Sequence, residues 1–432
     1  MIVFGCQMNI HDSEQIAAAL EQAGWSRAER EDEADAIILL TCCVRESAEQ
    51  RLYGRLASLK SLKGGRPVTI AVGGCLAQKE GGRMLAEMPH VDLVFGTQQY
   101  PNIAMLLDQA ANIQISAIDF DGLEFATTAA YRSVPFRAWV TITHGCQNFC
   151  SYCIVPFVRG PEASRGIEDV LQEVGRHVDG GAREINLLGQ NVNSYRLRED
   201  GESKFSQLLG LLAERFPDTW VRFTTSHPRD FSSDIIAAIA ESHNACEHVH
   251  LPLQAGSDRI LAAMNRGYTA GEYVEKANNL RRAIQDVALT TDLIVGFPGE
   301  TEEDFTRTLE VVEACLFDAS FTFIFNPREG TAAASLEDDV PAGVKQERLQ
   351  RLMLLTRSLT TESLRRNVGR DITVMVTGPS RKDPGKWSAR SRNNKIVHFK
   401  RRGEDLTGRL VKVAITGAGS WSLKAEALDR GF

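Results

Sequence analysis

The chain is 432 residues long, 43% hydrophobic and 24% charged, with a formal net charge of −7, the composition of a globular protein of two to four domains. No apolar run reaches the ~20 residues that a bilayer-crossing helix needs, and no basic stretch leads into a hydrophobic segment near Met1, so neither a membrane span nor a secretion signal is expected. Nine cysteines, an odd number without an export signal, argue for a reducing, cytoplasmic setting and for metal or redox chemistry in place of disulfides.

The overall charge does not point to a nucleic-acid partner, but its distribution does. Residues 367–432 hold 14 Lys/Arg and 6 Asp/Glu, a net +8, which leaves −15 on the rest. A basic terminal module on an acidic body is the asymmetry of a nucleic-acid tether. A solvated charged face is the plainer alternative.

Residues 1–125 alternate short apolar strands with amphipathic helices, which predicts a parallel sheet covered by helices. Strands are expected at 2–4, 36–40, 68–72 and 91–95. Asp12 and Gln15 are expected to form a capping box for a helix carrying Ile16, Leu20 and Ala23 and ended by Gly24. Cys6 follows the first strand, Cys42 and Cys43 the second, and Cys75 the third. Ligands of open parallel sheets bind outside the carboxyl ends of strands, so these scattered thiols can meet at one edge and hold a cluster with one open iron. The alternative is that they are small residues packed at strand ends.

The stretches Gly5–Asn9 with Asp12–Glu14, Thr41–Glu46 and Gly74–Gln78 resemble the N-terminal domain of the methylthiotransferases. The resemblance implies that Cys6, Cys42 and Cys75 bind an auxiliary 4Fe–4S cluster. Cys43 stands where that family usually has Ala or Ser, and is read as a neutral replacement.

Residues 112–135 lack periodicity and are expected to form a linker. Beyond it, Cys146, Cys150 and Cys153 make a C-x3-C-x2-C pattern. A 4Fe–4S cluster normally takes four thiolates, so three leave one iron open, the mark of a catalytic centre. Three cysteines at i, i+4 and i+7 also share a helix face and could be core. Gly145, Gln147, Asn148 and Pro156 argue against that helix. With His144 the group could instead close a tetrahedral zinc site. The spacing, with an aromatic residue before Cys150 and before Cys153, resembles the motif of radical S-adenosylmethionine enzymes. That resemblance implies a cluster whose open iron binds S-adenosylmethionine and cleaves it to a deoxyadenosyl radical.

Strand-like runs at 138–143, 184–188, 220–225, 248–251, 289–295 and 320–325 alternate with helical patterns such as 168–178, 231–241 and 302–315. Six such repeats predict a TIM-type barrel that is three-quarters closed, with its site at the carboxyl ends of the strands. Polar clusters follow those ends: Gln190, Asn191 and Asn193; Ser226 and His227; His250 and Gln254; and Asp292. Their amides and imidazoles suit an adenosine, a ribose and an aminocarboxylate, and by resemblance they are cofactor-binding loops. Cys246 and Cys315 fit no ligand pattern and are read as packing.

A charged helix at 345–366 leads out of the barrel. The last segment alternates as half-buried strands between glycine turns, five strands in a small barrel of the oligonucleotide-binding kind. It carries Arg390, Arg392, Lys395, Lys400, Arg401 and Arg402, interleaved with Trp387, His398 and Phe399, as cations for phosphate and aromatics for bases. It resembles the TRAM domain, an RNA-binding module, and Arg392–Lys395 resembles the tRNA-modifying branch of the methylthiotransferases.

The expected architecture is therefore α/β with three domains: 1–125 with the auxiliary cluster, 132–366 with the radical S-adenosylmethionine barrel, and 367–432 with the small β-barrel. The resemblance implies methylthiolation of carbon 2 of isopentenyladenosine at position 37 beside the tRNA anticodon. It implies two 4Fe–4S clusters, S-adenosylmethionine, an external reductant and a sulfur donor, in a monomer that binds the anticodon stem-loop. Threonylcarbamoyladenosine and an aspartate of a ribosomal protein are the alternative targets within the family. A non-catalytic iron–sulfur RNA-binding sensor is the alternative outside it.

Overall fold

A computed structural model describes residues 1–43, 46–120, 132–195 and 203–428. The chain divides into two units: Met1–Val134 with Thr143–Gln147 and Cys153–Arg165, and Pro135–Ile142 with Asn148–Tyr152 and Gly166–Phe432. The expected boundary near residue 125 lies outside the described residues, as do Val44 and Arg45 of the second cysteine motif.

In the first unit, strands β1 (Ile2–Phe4), β2 (Ala36–Thr41), β3 (Thr69–Gly74), β4 (Leu93–Phe95) and β5 (Ile115–Ala117) form one sheet in sequence order. Every neighbouring pair is parallel. Strands β2 and β3 are apolar runs because both faces are covered. Ile37, Leu39, Ile70 and Val72 pack with helix α2 (Glu46–Lys63) and helix α3 (Cys75–Glu80). Ile38, Leu40 and Ala71 pack with helix α1 (Gln7–Gln22) and, beyond helix α4 (Gly82–Glu87), with helix α5 (Ile103–Ala110).

Two expectations change here. Strand β5 lies inside the stretch read as linker; it is a three-residue edge strand, too short to show a period. Asp12 does not cap α1. The helix begins at Gln7, with Cys6 at its N-cap, and Asp12 is buried in its middle.

In the second unit, strands β6 (Arg137–Thr141), β9 (Glu184–Leu188) and β10 (Trp220–Phe223) form one parallel sheet. Strands β11 (His248–His250), β12 (Ala288–Val295) and β13 (Ala319–Ile324) form another. A parallel bridge from Val221 to Ala245 joins them, so six strands follow one another as predicted for the open barrel. Between β6 and β9, strands β7 (Thr143–His144) and β8 (Ala163–Ser164) make a small antiparallel pair in the first unit, with helix α6 (Val155–Arg159) between them.

Helices α7 (Ile167–Asp179), α8 (Phe205–Arg215), α9 (Ser233–Glu241), α10 (Asp258–Ala263), α11 (Ala270–Ala283), α12 (Glu302–Cys315) and α13 (Ala342–Arg365) are the remaining α-helices among the described residues. Thr269 and Thr301 cap α11 and α12 with true capping boxes, closed by Glu272 and Asp304. Strands β14 (Asp371–Pro379), β15 (Lys386–Ser391), β16 (Ile396–Lys400), β17 (Leu410–Ala418) and β18 (Leu423–Ala427) close the predicted five-stranded barrel. Its core is Trp387, Phe399, Val374 and Ile415. Trp387 and Phe399 are therefore buried packing and not bases for RNA stacking.

Candidate metal centres and RNA interface

The carboxyl ends of β1, β2 and β3 finish level: Phe4 stands opposite Thr41, and Thr41 opposite Gly74. Cys6, Cys42 and Cys75 follow within two residues of those ends, so the register brings three distant thiols to one sheet edge. Asn9, fully buried, fixes this edge. Its amide donates to the Thr41 carbonyl at 3.3 Å, and its Oδ1 accepts the Cys6 N–H at 3.3 Å and the Cys6 thiol at 3.4 Å. Gly74 has φ +96, and a Cβ there would lie 2.6 Å from the Thr41 carbonyl, so only glycine lets the chain turn into Cys75.

The electrostatics favour thiolates at Cys6 and Cys75. A hydrogen bond from Cys42, against the opposing effect of burial, pulls the Cys6 thiol down to about 6. Cys75 is lowered by a hydrogen bond from Cys43 and by the Arg159 charge, again against burial. Cys43 itself is pushed up by that bond and by burial. It keeps its proton among Ile37, Leu52 and Leu56 and donates to Cys75. Arg159 adds a second donor, Nε to Cys75 Sγ at 3.2 Å. Low-pKa thiols with N–H donors on sulfur are what an iron–sulfur ligand set needs.

The C-x3-C-x2-C loop does not form a helix, which removes the reading of its cysteines as one core face. In the first unit, the buried Cys146 donates its N–H to the Gly160 carbonyl at 3.2 Å, and Cys153 is half-buried. Gly145, at φ +76, turns where a Cβ would strike the Pro161 carbonyl. In the second unit, buried Cys150 accepts from Arg266 Nη1 at 3.2 Å and stands 3.9 Å from His227 Nε2. Asn265 holds the Asn148 and Phe149 carbonyls. Among the described residues no three His, Cys, Asp or Glu are grouped closely enough for a single metal ion.

Gln190, Asn191, Asn193, Ser226, His227 and Gln254 lie after the carboxyl ends of barrel strands, whereas His250 is the last residue of β11 and Asp292 stands inside β12. Both polar atoms of the Asn193 amide, Ser226 Oγ and Gln254 Oε1 are buried without a protein partner. Buried polar groups are nearly always paired, so this set fits a polar ligand. Asn191 donates to Asp230 at 2.6 Å. His250 binds Thr290 through Nδ1 at 3.0 Å and faces Asp292 at 3.4 Å. His227 takes the Arg229 N–H on Nδ1 at 3.2 Å; burial, with Arg266 and Arg229 nearby, holds it neutral. Gln190 stands just past the end of β9, half-buried.

The basic residues of the last segment separate into two groups. Arg392 grips Glu247 and the Ala245 carbonyl. Lys395 reaches Asp318 at 2.8 Å and Ser363 at 2.6 Å. Arg390 bonds Asn394 at 2.6 Å, and burial with Arg222 beside it lowers it to about 10. Arg392 and Lys395 thus tie the small barrel to the amino ends of the large barrel's strands, while the bond of Arg390 stays within the small barrel. Lys400, Arg401 and Arg402 are exposed at the other end of β16, and the Arg401 guanidinium lies 4.6 Å over the Trp387 ring.

Sequence reasoning gave no role to Asn9, Arg159 or Arg266, and gave Asp12 only that of a helix cap. Their partners lie far along the chain or depend on helix phase, and no local period marks them.

Residues 1–96 match the Uncharacterized protein family UPF0004, 140–312 the Radical SAM superfamily and 365–428 the TRAM domain. A tRNA-2-methylthio-N(6)-dimethylallyladenosine synthase of Moorella thermoacetica is 45% identical over 99% of this chain and 98% of its own. Proteins of the same name from Carboxydothermus hydrogenoformans and Mycolicibacterium gilvum are 46% and 45% identical, over 96% and 98% of this chain and 96% and 86% of theirs. Among solved structures, a radical S-adenosylmethionine methyltransferase, TsrM, from Kitasatospora setae, with cobalamin and a [4Fe-4S] cluster bound, superposes with a TM-score of 0.58. It is 12% identical, over 75% of this chain and 74% of that one, a likeness of fold.

Proposed function

Because the chain belongs to the family of tRNA-2-methylthio-N(6)-dimethylallyladenosine synthases, we propose that it methylthiolates carbon 2 of isopentenyladenosine at position 37 of tRNA. It is an enzyme in three parts, 1–125, 132–366 and 367–432. Cys146, Cys150 and Cys153 hold a 4Fe–4S cluster with one open iron. Cys6, Cys42 and Cys75 hold a second. Bound iron–sulfur and S-adenosylmethionine supply the one-electron chemistry that an unactivated aromatic C–H requires.

The protein's own contribution is placement. Asn9, Gly74 and Arg159 set the first three thiols, and Arg266 and Asn265 set the loop around Cys150. Asn193, Ser226 and Gln254 offer unpaired polar atoms to S-adenosylmethionine, with Gln190, Asn191, His227, His250 and Asp292 around them. Lys400, Arg401 and Arg402 hold the RNA backbone, while Arg392 and Lys395 keep the small barrel docked. The enzyme acts as a cytoplasmic monomer and draws on an external reductant and a sulfur donor. Among the described residues no helix is long and apolar enough to cross a membrane.

The observation that carries this reading is the level finish of β1, β2 and β3. A structural sheet has no need of three thiols at one edge, one of them with a guanidinium N–H on its sulfur. The test is a nucleoside mass profile of tRNA from a host lacking the gene. Isopentenyladenosine should accumulate, and its methylthio form should return on complementation. A change confined to the threonylcarbamoyl nucleoside would give the sister activity. No change in any tRNA nucleoside would overturn the tRNA assignment.

A further inference from the structure

The dipeptide Arg159–Gly160 touches both cysteine sets, and it does so within the first unit. The Arg159 side chain is buried, 2% exposed. Its Nη1 and Nη2 donate to the two carboxylate oxygens of Asp12 at 3.4 and 2.7 Å, and its Nε donates to Cys75 Sγ at 3.2 Å. Tyr100 donates its hydroxyl to the same Asp12 at 3.0 Å. One residue on, the Gly160 carbonyl accepts the Cys146 N–H at 3.2 Å. Thr97 pins the preceding turn through the Val158 carbonyl at 3.1 Å.

A buried guanidinium without a carboxylate is strongly unfavourable, so Asp12 fixes Arg159, and Tyr100 fixes Asp12. The planar fork, two N–H groups on the carboxylate, leaves Nε aimed at the sulfur. A lysine ammonium has the charge but not this geometry.

We propose that Arg159 is a positioning residue that tunes the Cys6–Cys42–Cys75 site and ties it to the segment carrying Cys146. It has this role only if those three cysteines hold a cluster, as proposed above. An N–H donor on a ligand sulfur stabilises the more negative, reduced state, so it raises the reduction potential. The anchor through Gly160 makes any shift of α6 felt at Cys75 and at Cys146 together.

The test uses full-length protein in which Cys146, Cys150 and Cys153 are all alanine, so that one cluster titrates. This background is reconstituted without oxygen, alone and with Arg159→Lys, Arg159→Met or Asp12→Asn. Iron content, thermal midpoint and the potential by spectroscopic titration are read for each. We expect Arg159→Lys to fold and bind iron, with the potential displaced to more negative values. Asp12→Asn should displace it the same way, by less. Unchanged potentials in both, with normal iron, would reduce Arg159 to a structural ion pair and overturn the proposal, even if Arg159→Met does not fold. A triple-alanine background that binds no iron would overturn the second-cluster reading itself, and this proposal with it.

Discussion

Arg392 holds both carboxylate oxygens of Glu247, with Nε 2.9 Å from each and Nη2 2.7 Å from Oε1. The pair joins the turn after β15 to the residue just before β11. Around it, Arg222 donates to the Arg392 and Ser391 carbonyls at 2.7 and 2.8 Å, and Asn394 meets His248 at 3.3 Å. The motif that resembles the tRNA-modifying branch is thus a docking turn at the foot of the barrel.

Arg392→Ala should therefore lower stability by about 1–3 kcal/mol, since a charge-assisted fork is lost and Glu247 is left half-buried. Chemical denaturation followed by tryptophan fluorescence measures this. A substitution that weakens tRNA binding at unchanged stability would place Arg392 on the RNA surface after all.

Lys400, Arg401 and Arg402 should behave in the opposite way. Replacing all three by alanine should leave the thermal midpoint close to wild type. It should weaken tRNA binding and reduce the slope of log affinity against log salt by roughly 2. Filter binding of an anticodon stem-loop from 50 to 300 mM salt, ~6-fold in ionic strength, spans enough range to see it.

The contrast shows what the sequence could carry. Charge counting located the basic module, and strand periodicity located its barrel, because both are local properties. Whether a given cation faces RNA or a carboxylate depends on Glu247 and Asp318, which no spacing rule links to Arg392 and Lys395. The same holds for Asp12. It has the composition of a cap, but helix phase and a partner at 159 make it a buried ion pair. The cysteines were legible because each follows an apolar strand, and strand ends in a parallel sheet share one edge. Strand β5 was not legible because three residues show no period.

Acid should loosen the seam between the barrels through Glu184. Burial would raise its pKa, but Arg222 and Arg137 outweigh that and hold it at about 2, below the ordinary 4.5. A depressed carboxylate stabilises the fold above its unfolded value and loses that contribution as pH falls through its folded value. Stability should therefore decline between pH 4.5 and about 2. Glu184→Gln should remove that part of the decline and cost roughly 3–5 kcal/mol at neutral pH, since Arg222 is left buried without its partner. Unfolding free energies of the two proteins from pH 7 downward decide this.

Removing iron should expose a reactive thiol. In chelated, reduced protein, iodoacetamide should modify Cys6 with a rate that rises around pH 6. Cys246 and Cys315, held by burial at about 11 and about 12, should stay inert. Peptide mass mapping against pH reads all three. A Cys6 rate that rises only around the ordinary 9 would mean that Cys42 does not stabilise its thiolate.

The most direct test supplies reduced, reconstituted protein with S-adenosylmethionine, a sulfur source and an isopentenyladenosine-containing stem-loop. Deoxyadenosine and the methylthio nucleoside are then quantified together. Wild type should form both. The Cys6/Cys42/Cys75 triple alanine variant should form deoxyadenosine alone, and the Cys146/Cys150/Cys153 variant neither. Methylthio product from the first variant, or no deoxyadenosine from wild type, would contradict the division of labour between the two cysteine sets.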